Sequence, residues 1–448
     1  MCMSSLKTIP GPRGRPILGV MPEMVKDMLG LFENTAREYG GIAQFNLLGR
    51  PYFLVTDPDY VKYILQDNYR NYIRGRSVET GRVLLGNGLP LIDGDFWLRE
   101  RRMLQPAFHR ERLAKLASTA QAVIESHLDA WLEKSKHGPL DMDEEMMKLT
   151  LTVIIKTMFS APIDDRIAAL SRAFNVASKF MLWRSQQAWA PPLWFPVPRN
   201  LEYNRALKTL NDTIYPLIVE ARRSPGDDLL AMLLDMRDQE SGEGMSDQQA
   251  RDEVVTIFFA GHETTAATMT WTYYLLSLHP EVEQKLYEEL KTALNGRPPS
   301  FTDLPKLTYM HQVLNEVLRL YPSAYLFARE ALIDDVLDGY LIPANTLIFI
   351  TPYITHRNPR YWPDPEKFDP DRFTPEAVAG RPKHVYYPFG EGPHVCIGSN
   401  FAMMEMQLIL AASLPRFHLK LVPGQTVALK PEATLRPKGG MKMTVESM

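Results

Sequence analysis

The surroundings of Cys396 point more directly to chemistry than any other part of this chain. Cys396 lies in the segment Phe389-Gly390-Glu391-Gly392-Pro393-His394-Val395-Cys396-Ile397-Gly398, and the only other cysteine among the 448 residues is Cys2. A cysteine without a nearby second cysteine is neither half of a disulfide nor part of a zinc knuckle. A single thiolate with one open face is typical of axial heme ligation, and we expect that role for Cys396.

Two glycines and a following helix determine how this segment could hold a cofactor. Gly392 and Gly398 can adopt positive φ angles or let the backbone approach a flat macrocycle closely. Phe389 can pack against the edge of such a ring. Residues 401–410 combine strong helix formers with apolar residues at helical spacing. We therefore expect the thiol near a helix N-terminus, whose unpaired amides can hydrogen-bond to a thiolate. The alternative is a buried structural cysteine before an ordinary helix.

The segment resembles the heme-binding loop of the cytochrome P450 superfamily, and the resemblance extends over nearly the whole chain. The positions that are invariant in that loop fall on Phe389, Gly392, Cys396 and Gly398. The resemblance implies a mainly α fold with a small β region (α+β), in which residues 1–448 form a single large helical domain around a buried heme. It implies Cys396 as the ligand to iron, with Phe389 and Gly398 as further contacts to the cofactor.

The patterning of the chain divides it into stretches that agree with this fold class. Residues 1–20 form a Pro/Gly-rich arm that we expect to be extended. Residues 41–57 alternate between apolar and polar, which predicts a hairpin of a small sheet. A helical body is predicted over about 58–320. The stretch 323–448 supplies the rest of the small β region and contains the thiolate loop 389–398 and one final helix.

A second motif, Ala260-Gly261-His262-Glu263-Thr264-Thr265, lies at the centre of a long helical pattern over residues 247–278. Glycine and threonine in mid-helix lower helix propensity, so stability alone would not select them. Gly261 removes side-chain bulk and would let a flat cofactor approach. Thr264 can donate a hydrogen bond back to a helix carbonyl and open a groove. The alternative is a simple helix kink.

This motif resembles the oxygen-binding motif of the same superfamily, although many members have aspartate where this chain has Glu263. The resemblance implies that Glu263 and Thr264 are a catalytic acid–alcohol pair that delivers protons. It also implies that Ala260 and Gly261 contact the cofactor. We do not expect His262 to bind metal, because adjacent residues on a helix point about 100° apart.

A third pattern joins two charges on one helix face. Glu316 and Arg319 lie three residues apart and can pair. A pair of this kind on the surface would be worth little. The Leu-Tyr-Pro sequence that follows resembles the Glu-x-x-Arg helix of the superfamily, and Arg372 lies in a matching downstream segment. The resemblance implies a buried structural network of these three residues that holds the Cys396 loop in place.

Several residues match the superfamily positions that contact the heme carboxylates. Trp97 and Arg101 form a Trp-x-x-x-Arg pattern, one helical turn apart. Arg329 lies in a predicted strand, and His394 stands where many members have arginine. Neutral histidine would weaken that contact. The alternative for Arg101 is a solvated helix face, because two further arginines adjoin it.

Composition excludes some classes of function. The net charge of −3 implies no broad affinity for nucleic acid. The presence of only two cysteines agrees with a reducing compartment or with indifference to redox state. No membrane span or secretory signal is visible, and a hinge-like segment begins at about residue 9. With the resemblance, these features imply a soluble, cytoplasmic, bacterial member without a membrane anchor, or a chain from which an anchor has been removed.

The resemblance implies a monooxygenase that uses heme b and O2 to insert one oxygen atom into a C–H or C=C bond. Electrons would come from NAD(P)H through a separate ferredoxin or flavodoxin and its reductase, and the enzyme would be a monomer. Three alternatives remain: an isomerase or dehydratase that needs no external electrons, a peroxygenase, and a non-enzymatic heme sensor. An intact Glu263–Thr264 pair disfavours all three.

Apolar and aromatic residues mark candidate substrate contacts in four stretches: 71–91, 180–194, 255–259 and 324–327. The named candidates are Phe180, Met181, Trp183, Phe258, Phe259, Tyr325, Leu326 and Phe327, with Arg184 and Gln186 for a polar head group. They predict a lipophilic substrate such as a fatty acid, terpenoid, carotenoid-like or steroid molecule. The alternative is that each of them is plain core.

Overall fold

The structure is a computed structural model that describes residues 6–159, 164–187, 189–224, 226–238, 240 and 242–448. Cys2 and the first residues of the arm lie outside these ranges. Every helix in the described ranges is too short or too polar to cross a lipid bilayer.

Helices make up most of the described chain, which confirms the predicted fold class. The α-helices are α1 (Met21–Lys26), α2 (Met28–Tyr39), α3 (Pro58–Lys62), α4 (Arg82–Leu85), α5 (Gly94–Leu104), α6 (Arg110–Ser135), α7 (Met142–Met158), α8 (Asp164–Ser185), α9 (Pro198–Arg223), α10 (Leu229–Asp235), α11 (Asp247–Leu278), α12 (Pro280–Leu294), α13 (Thr308–Leu320), α14 (Pro352–Thr355), α15 (Pro375–Ala379) and α16 (Ser399–Ser413).

The strands are short and form small sheets. They are β1 (Ile42–Leu47), β2 (Arg50–Val55), β3 (Tyr72–Ile73), β4 (Leu140–Asp141), β5 (Phe327–Ala331), β6 (Asp335–Leu337), β7 (Tyr340–Ile342), β8 (Leu347–Ile350), β9 (Phe417–Leu421), β10 (Leu429–Pro431), β11 (Leu435–Pro437) and β12 (Lys442–Ser447). The chain folds into two compact units. The first comprises residues up to Ser77, Gln312–Cys396 and Leu429–Leu435, and the second comprises Val78–His311, Ile397–Ala428 and Arg436–Met448.

A mixed sheet organises the first unit, with strand order β1-β2-β8-β5-β3. The predicted hairpin is confirmed: β1 and β2 pair antiparallel from Ile42–Val55 to Leu47–Arg50. Leu48 and Gly49, with φ of 50° and 78°, form the tight turn of this hairpin. Two positive φ angles match the right-handed twist of the paired strands. Phe53, Val55, Ile348 and Ile350 are buried in one cluster, so the apolar faces of the strands build the core of this unit.

Helix packing organises the second unit. The long helix α11 begins at the N-cap Ser246, whose hydroxyl accepts a hydrogen bond from the amide of Gln249 at 3.1 Å. Most of its side chains are buried. Thr150 on α7 donates to the carbonyl oxygen of His262 on α11 at 2.9 Å, which fixes the two helices at the centre of the motif. The order β4-β12-β9 forms a separate small sheet in this unit.

Three features differ from the sequence-based expectation, and one is that the short helices α14 and α15 lie in the stretch 323–448, where only one final helix was predicted. The helices α1 and α2 precede the first strand, although no helix was predicted there. Two short strands, β3 and β4, interrupt the predicted helical body and pair with β5 and β12, respectively. Two-residue strands carry no periodicity of their own, so only their partners define them.

Candidate functional site

The thiol of Cys396 lies at the end of a tight turn in the first unit. The amide of Cys396 donates to the carbonyl oxygen of Phe389 at 2.8 Å, and the amide of Val395 donates to Gly392 at 3.1 Å. Phe389 is half-buried, whereas the Cys396 side chain is exposed. The turn is thus closed by its own backbone hydrogen bonds, and its thiol is accessible. A buried structural cysteine, the alternative considered above, does not agree with this exposure.

Gly392 holds this turn against a neighbouring element. Its φ is +68°, and a Cβ atom there would lie 2.1 Å from the carbonyl oxygen of Leu65, in the π-helix Tyr63–Asp67. Only glycine meets both conditions. Gly398 differs, because its φ is −87° and nothing lies within 4 Å of the position of a Cβ atom. Of the two uses expected for the glycines, Gly392 has the positive φ, and Gly398 has the open space beside its backbone.

A Gly392→Ala variant is expected to be less stable than the wild type by more than the ~1–2 kcal/mol of positive-φ strain alone, because Leu65 must also move. Gly424→Ala is the matched control, since Gly424 has a φ of +81° and open space around it. The melting temperatures of both variants check this. Equal losses in the two would show that Leu65 does not constrain the turn.

The predicted network of buried charges is present in the first unit. Arg319 donates from Nε and Nη2 to the two carboxylate oxygens of Glu316 at 2.6 and 2.7 Å, and both side chains are fully buried. Arg372 lies 3.5 Å from Glu316. The amide of Asp369 donates to Glu316 at 2.9 Å. The negative charge of Glu316 is thus paired with arginine, and its oxygens accept hydrogen bonds from protein groups. A buried carboxylate requires both.

This network connects to the thiolate turn through His356. Arg319 donates to the carbonyl oxygen of His356 at 2.9 Å, and Nε2 of His356 accepts from the amide of Tyr387 at 3.0 Å. Burial, followed by the charge of Arg319, holds the pKa of His356 well below its ordinary value, so the ring is neutral and can accept. The carbonyl oxygen of Tyr387 in turn accepts a hydrogen bond from the amide of Gly390, which lies in the thiolate loop. The sequence did not reveal His356 because no local pattern marks it.

The second unit presents a narrow accessible stripe on α11. Between Gln249 and Tyr273 of this helix, the side chains are buried except at Ile257, Phe259, Ala260, Gly261 and Thr264. Four of these positions follow the i, i+3, i+4, i+7 spacing of one helix face. The most exposed residue of the stripe is Ala260, so the accessible face has little side-chain bulk at its centre. Thr264 donates to the carbonyl oxygen of Ala260 at 2.6 Å, as its sequence position predicts.

Glu263 and His262 lie beside this stripe and are both buried. Glu263 lies 3.9 Å from Nη1 of Arg436, which pairs more closely with Asp143 at 2.6 Å. Burial and the charge of Arg436 lower the pKa of His262 to about 3. Its ring meets the ring of Phe174 edge-on, with centroids 5.8 Å apart. His262 is thus a neutral histidine that packs on an aromatic ring.

The predicted partners of the heme carboxylates are distributed over both units. Trp97 is buried on α5, and Arg101 follows one turn later on the same helix. In the first unit, Arg329 lies on β5 and donates to Ala328 at 2.8 Å. His394 meets Tyr69 edge-on, with ring centroids 5.7 Å apart.

The two arginines that adjoin Arg101 have acidic partners of their own. Arg102 pairs with Glu240 at 2.6 Å and Arg99 with Glu243 at 3.4 Å. Arg101 is half-buried like these two neighbours, so the solvated-face alternative stays open for Arg101.

Several predicted substrate contacts are core residues instead. Phe258 is fully buried and meets Phe159 and Phe174 edge-on, with centroids about 6 Å apart. Phe180 stacks on Tyr203 at 4.2 Å. Tyr325 is buried and donates to the carbonyl oxygen of Glu432. Aromatic residues at helical spacing serve core and ligand pockets equally well, so the sequence could not separate the two uses. Phe259, Leu326 and Phe327 stay accessible.

Sequence reasoning missed Glu405 on α16. This side chain is fully buried, and burial raises its pKa well above the ordinary value, with the Thr265 hydroxyl opposing the shift. Burial thus favours the protonated form of Glu405, whose carboxyl lies near Thr265, the residue that follows Thr264 in the motif. A glutamate within an apolar helix pattern was the signal that could have revealed it.

Each unit, taken by itself, carries features that fit a flat heme. The first offers an exposed thiol on a closed backbone turn. The second offers an accessible stripe on α11 with Ala260 and Gly261 at its centre, where the lack of side-chain bulk would let a macrocycle approach closely.

Comparisons with known proteins agree with this fold and these features. The family model of cytochrome P450 matches residues 9–445. A cyclooctat-9-en-7-ol 5-monooxygenase of Streptomyces melanosporofaciens is 35% identical over 87% of this chain and 84% of its own length. A pentalenene oxygenase of Streptomyces avermitilis is 31% identical over 95% of this chain and 92% of its own. The crystal structure of the cytochrome P450DA heme domain is similar with a TM-score of 0.89 and 27% identity, covering 99% of both chains.

The chain belongs to the cytochrome P450 family. It is a monooxygenase of this family, whose members use heme, O2 and electrons from redox partners.

Proposed function

We propose that the protein binds heme b through the thiolate of Cys396 and oxygenates a lipophilic small molecule. The accessible thiol on the closed turn from Phe389 to Cys396 is the single observation that carries this proposal. When bound, the heme supplies the redox chemistry that activates O2. The overall reaction combines the substrate C–H bond with O2, two electrons and two protons, and yields an alcohol and water.

The residues of this chain have distinct roles in the proposal. Glu263 and Thr264 move protons to the reacting oxygen, and the accessible position of Thr264 on α11 supports this role. Ala260 and Gly261 leave space beside the ring. Trp97, Arg101, Arg329 and His394 bind the heme carboxylates, while Phe389 and Gly398 contact the ring.

The substrate in this proposal is a terpenoid. The family relatives above are named for the oxygenation of cyclooctat-9-en-7-ol and pentalenene, and both are terpenoid monooxygenases. Apolar accessible residues of this chain, among them Ile257, Phe259 and Leu326, agree with a substrate that offers few polar groups.

We assign the electrons to NAD(P)H, delivered by a separate ferredoxin or flavodoxin and its reductase. The protein acts as a cytoplasmic monomer in this proposal. Dependence on a reductase separates this function from the isomerase and peroxygenase alternatives.

The test is turnover of cyclic terpene hydrocarbons and alcohols with a surrogate ferredoxin, its reductase and NADPH, under ¹⁸O2. Product that carries one ¹⁸O atom and requires NADPH is expected. Turnover with hydrogen peroxide alone, at an equal rate and without NADPH, would favour the peroxygenase. Oxygenation of fatty acids but of no terpenoid would refute the substrate class and leave the chemistry intact.

A further inference from the structure

Two buried carboxyl groups of the second unit take no part in the chemistry proposed above. Glu253 on α11 and Glu100 on α5 are each 1% exposed. Glu253 lies about 15 Å along the helix axis from Glu263. Oε2 of Glu100 is buried, and no described residue donates a hydrogen bond to it. Burying carboxyls in this way is costly unless they are neutral, so they require an explanation.

The side chains around Glu253 hold one segment of the chain, residues 84–93, against α11. Asp252 accepts from the amide of Asn87 at 2.9 Å. Gln249 donates to the carbonyl oxygen of Asn87 at 2.9 Å and to Glu253 at 2.9 Å. Arg251 donates to the carbonyl oxygen of Leu84 at 2.8 Å. This segment consists of the end of α4 and one short 3-10 helix, Leu89–Leu91, and α11 supplies hydrogen bonds to the residues between them.

The contact between this segment and α11 is so close that glycine is needed twice. Gly86 has a φ of +55°, and a Cβ atom there would lie 2.1 Å from Oδ2 of Asp252. At Gly88 a Cβ atom would lie 1.8 Å from the Thr256 hydroxyl. A small separation of the two elements would therefore break all of these contacts together.

The electrostatics of this contact favour neutral carboxyl groups. Burial, followed by the nearby charges of Glu100 and Asp252, raises the pKa of Glu253 to about 8, although hydrogen bonds from the amide of Leu89 and the side chain of Gln249 act in the opposite direction. Burial and Asp238 raise the pKa of Glu100 to about 7, against the opposing charge of Arg99. The charged and titratable groups around the pair are Arg251 and Asp252 on α11, Arg99 and Arg102 on α5, Arg82 on α4, Tyr203 on α9, and Asp238, Glu240 and Glu243 after α10.

We propose that Glu253 and Glu100 form a proton-operated latch that fastens residues 84–93 to α11. With both carboxyls protonated, the segment is held. When they ionise, two buried carboxylates carry like charges that few hydrogen bonds compensate, and separating the segment from α11 hydrates them. The latch controls part of the stretch 71–91, where the sequence places candidate substrate contacts, so it makes access to that stretch depend on pH.

The direction of the pH dependence follows from linkage. In the open segment both carboxyls are hydrated and ionise near their ordinary pKa of 4.5. In the closed segment they stay protonated up to about pH 7–8. Opening should thus increase between about pH 4.5 and pH 8, by up to about tenfold per pH unit for one carboxyl. It should level off above about pH 8.

Hydrogen exchange tests the latch without any turnover. In the heme-loaded protein, the amides of Asn87 and Leu91 are followed from pH 6 to 9 by mass spectrometry and corrected for intrinsic rates. Their exchange is expected to rise by about tenfold or more between pH 6 and 8. The Glu100→Gln/Glu253→Gln double variant is expected to show a rise of less than about twofold.

Glu79→Gln is the matched control, because Glu79 is a 58% exposed carboxylate that pairs with Arg82 next to the segment. It should leave the rise unchanged. If the double variant does not fold, Glu253→Gln alone should still reduce the rise. The proposal is wrong if exchange in the wild type is flat across this range, if the double variant keeps the rise, or if amides of α11 near Met269 rise equally, since that would report global unfolding.

Discussion

An Arg319→Met variant is expected to lose about 3–5 kcal/mol of unfolding free energy relative to the wild type. The physical reason is the state of Glu316, whose carboxylate is fully buried and accepts two hydrogen bonds from Arg319. Removing the guanidinium leaves that charge uncompensated. It also removes donors from the carbonyl groups of His356 and Pro365, which belong to the segment that leads to the thiolate turn.

Denaturant unfolding followed by circular dichroism measures this loss. Lys208→Met is the matched control, because it breaks the exposed pair between Lys208 and Asp212, whose side chains are 76% and 60% exposed. That change should cost less than about 1 kcal/mol. A Glu316→Gln/Arg319→Met double variant should recover part of the loss, since no buried charge remains. Similar losses in Arg319→Met and Lys208→Met would refute the buried network.

A Thr264→Ala variant is expected to keep its heme and to consume NADPH, while product formation falls by about 100-fold. In our proposal the Thr264 hydroxyl moves protons to the reacting oxygen, and it lies on the accessible stripe of α11. Without it, electrons delivered to the protein should leave as hydrogen peroxide instead of appearing in product. The measurement is the ratio of product and peroxide formed to NADPH consumed.

Two variants show whether the hydroxyl itself is responsible. Thr264→Ser keeps the hydroxyl and should retain most of the coupling. Thr272→Ala removes a buried threonine from the same helix, where its hydroxyl donates to Thr268 at 2.8 Å, and should leave the coupling unchanged. Full coupling in Thr264→Ala would contradict the catalytic role of this residue.

The parts of the fold that the sequence predicted are those with a strong local signal. The hairpin of β1 and β2 has alternating apolar residues and a turn glycine, and α11 has a capping serine and a long helical pattern. The pairing of Glu316 with Arg319 was predicted because both lie on one turn of a helix. Each of these depends on neighbours in the sequence.

The parts that the sequence could not predict depend on distant residues. The role of His356 arises from Arg319 and Tyr387, which lie 37 and 31 residues away. The need for glycine at position 86 arises from Asp252. The aromatic residue Phe258 was assigned to the substrate site, although Phe159 and Phe174 enclose it. Tertiary contacts of this kind leave no periodic pattern in a single sequence.

The central claim is that Cys396 ligates a heme, and the absorption spectrum of the reduced protein under carbon monoxide tests it most directly. The wild type and Cys396→Ala are reduced with dithionite and saturated with carbon monoxide, and their bound heme is quantified. We expect the strongly red-shifted Soret band of a thiolate-ligated heme in the wild type and its loss in Cys396→Ala. A wild-type band typical of histidine-ligated heme, or a red-shifted band that persists in Cys396→Ala, would contradict the assignment of Cys396.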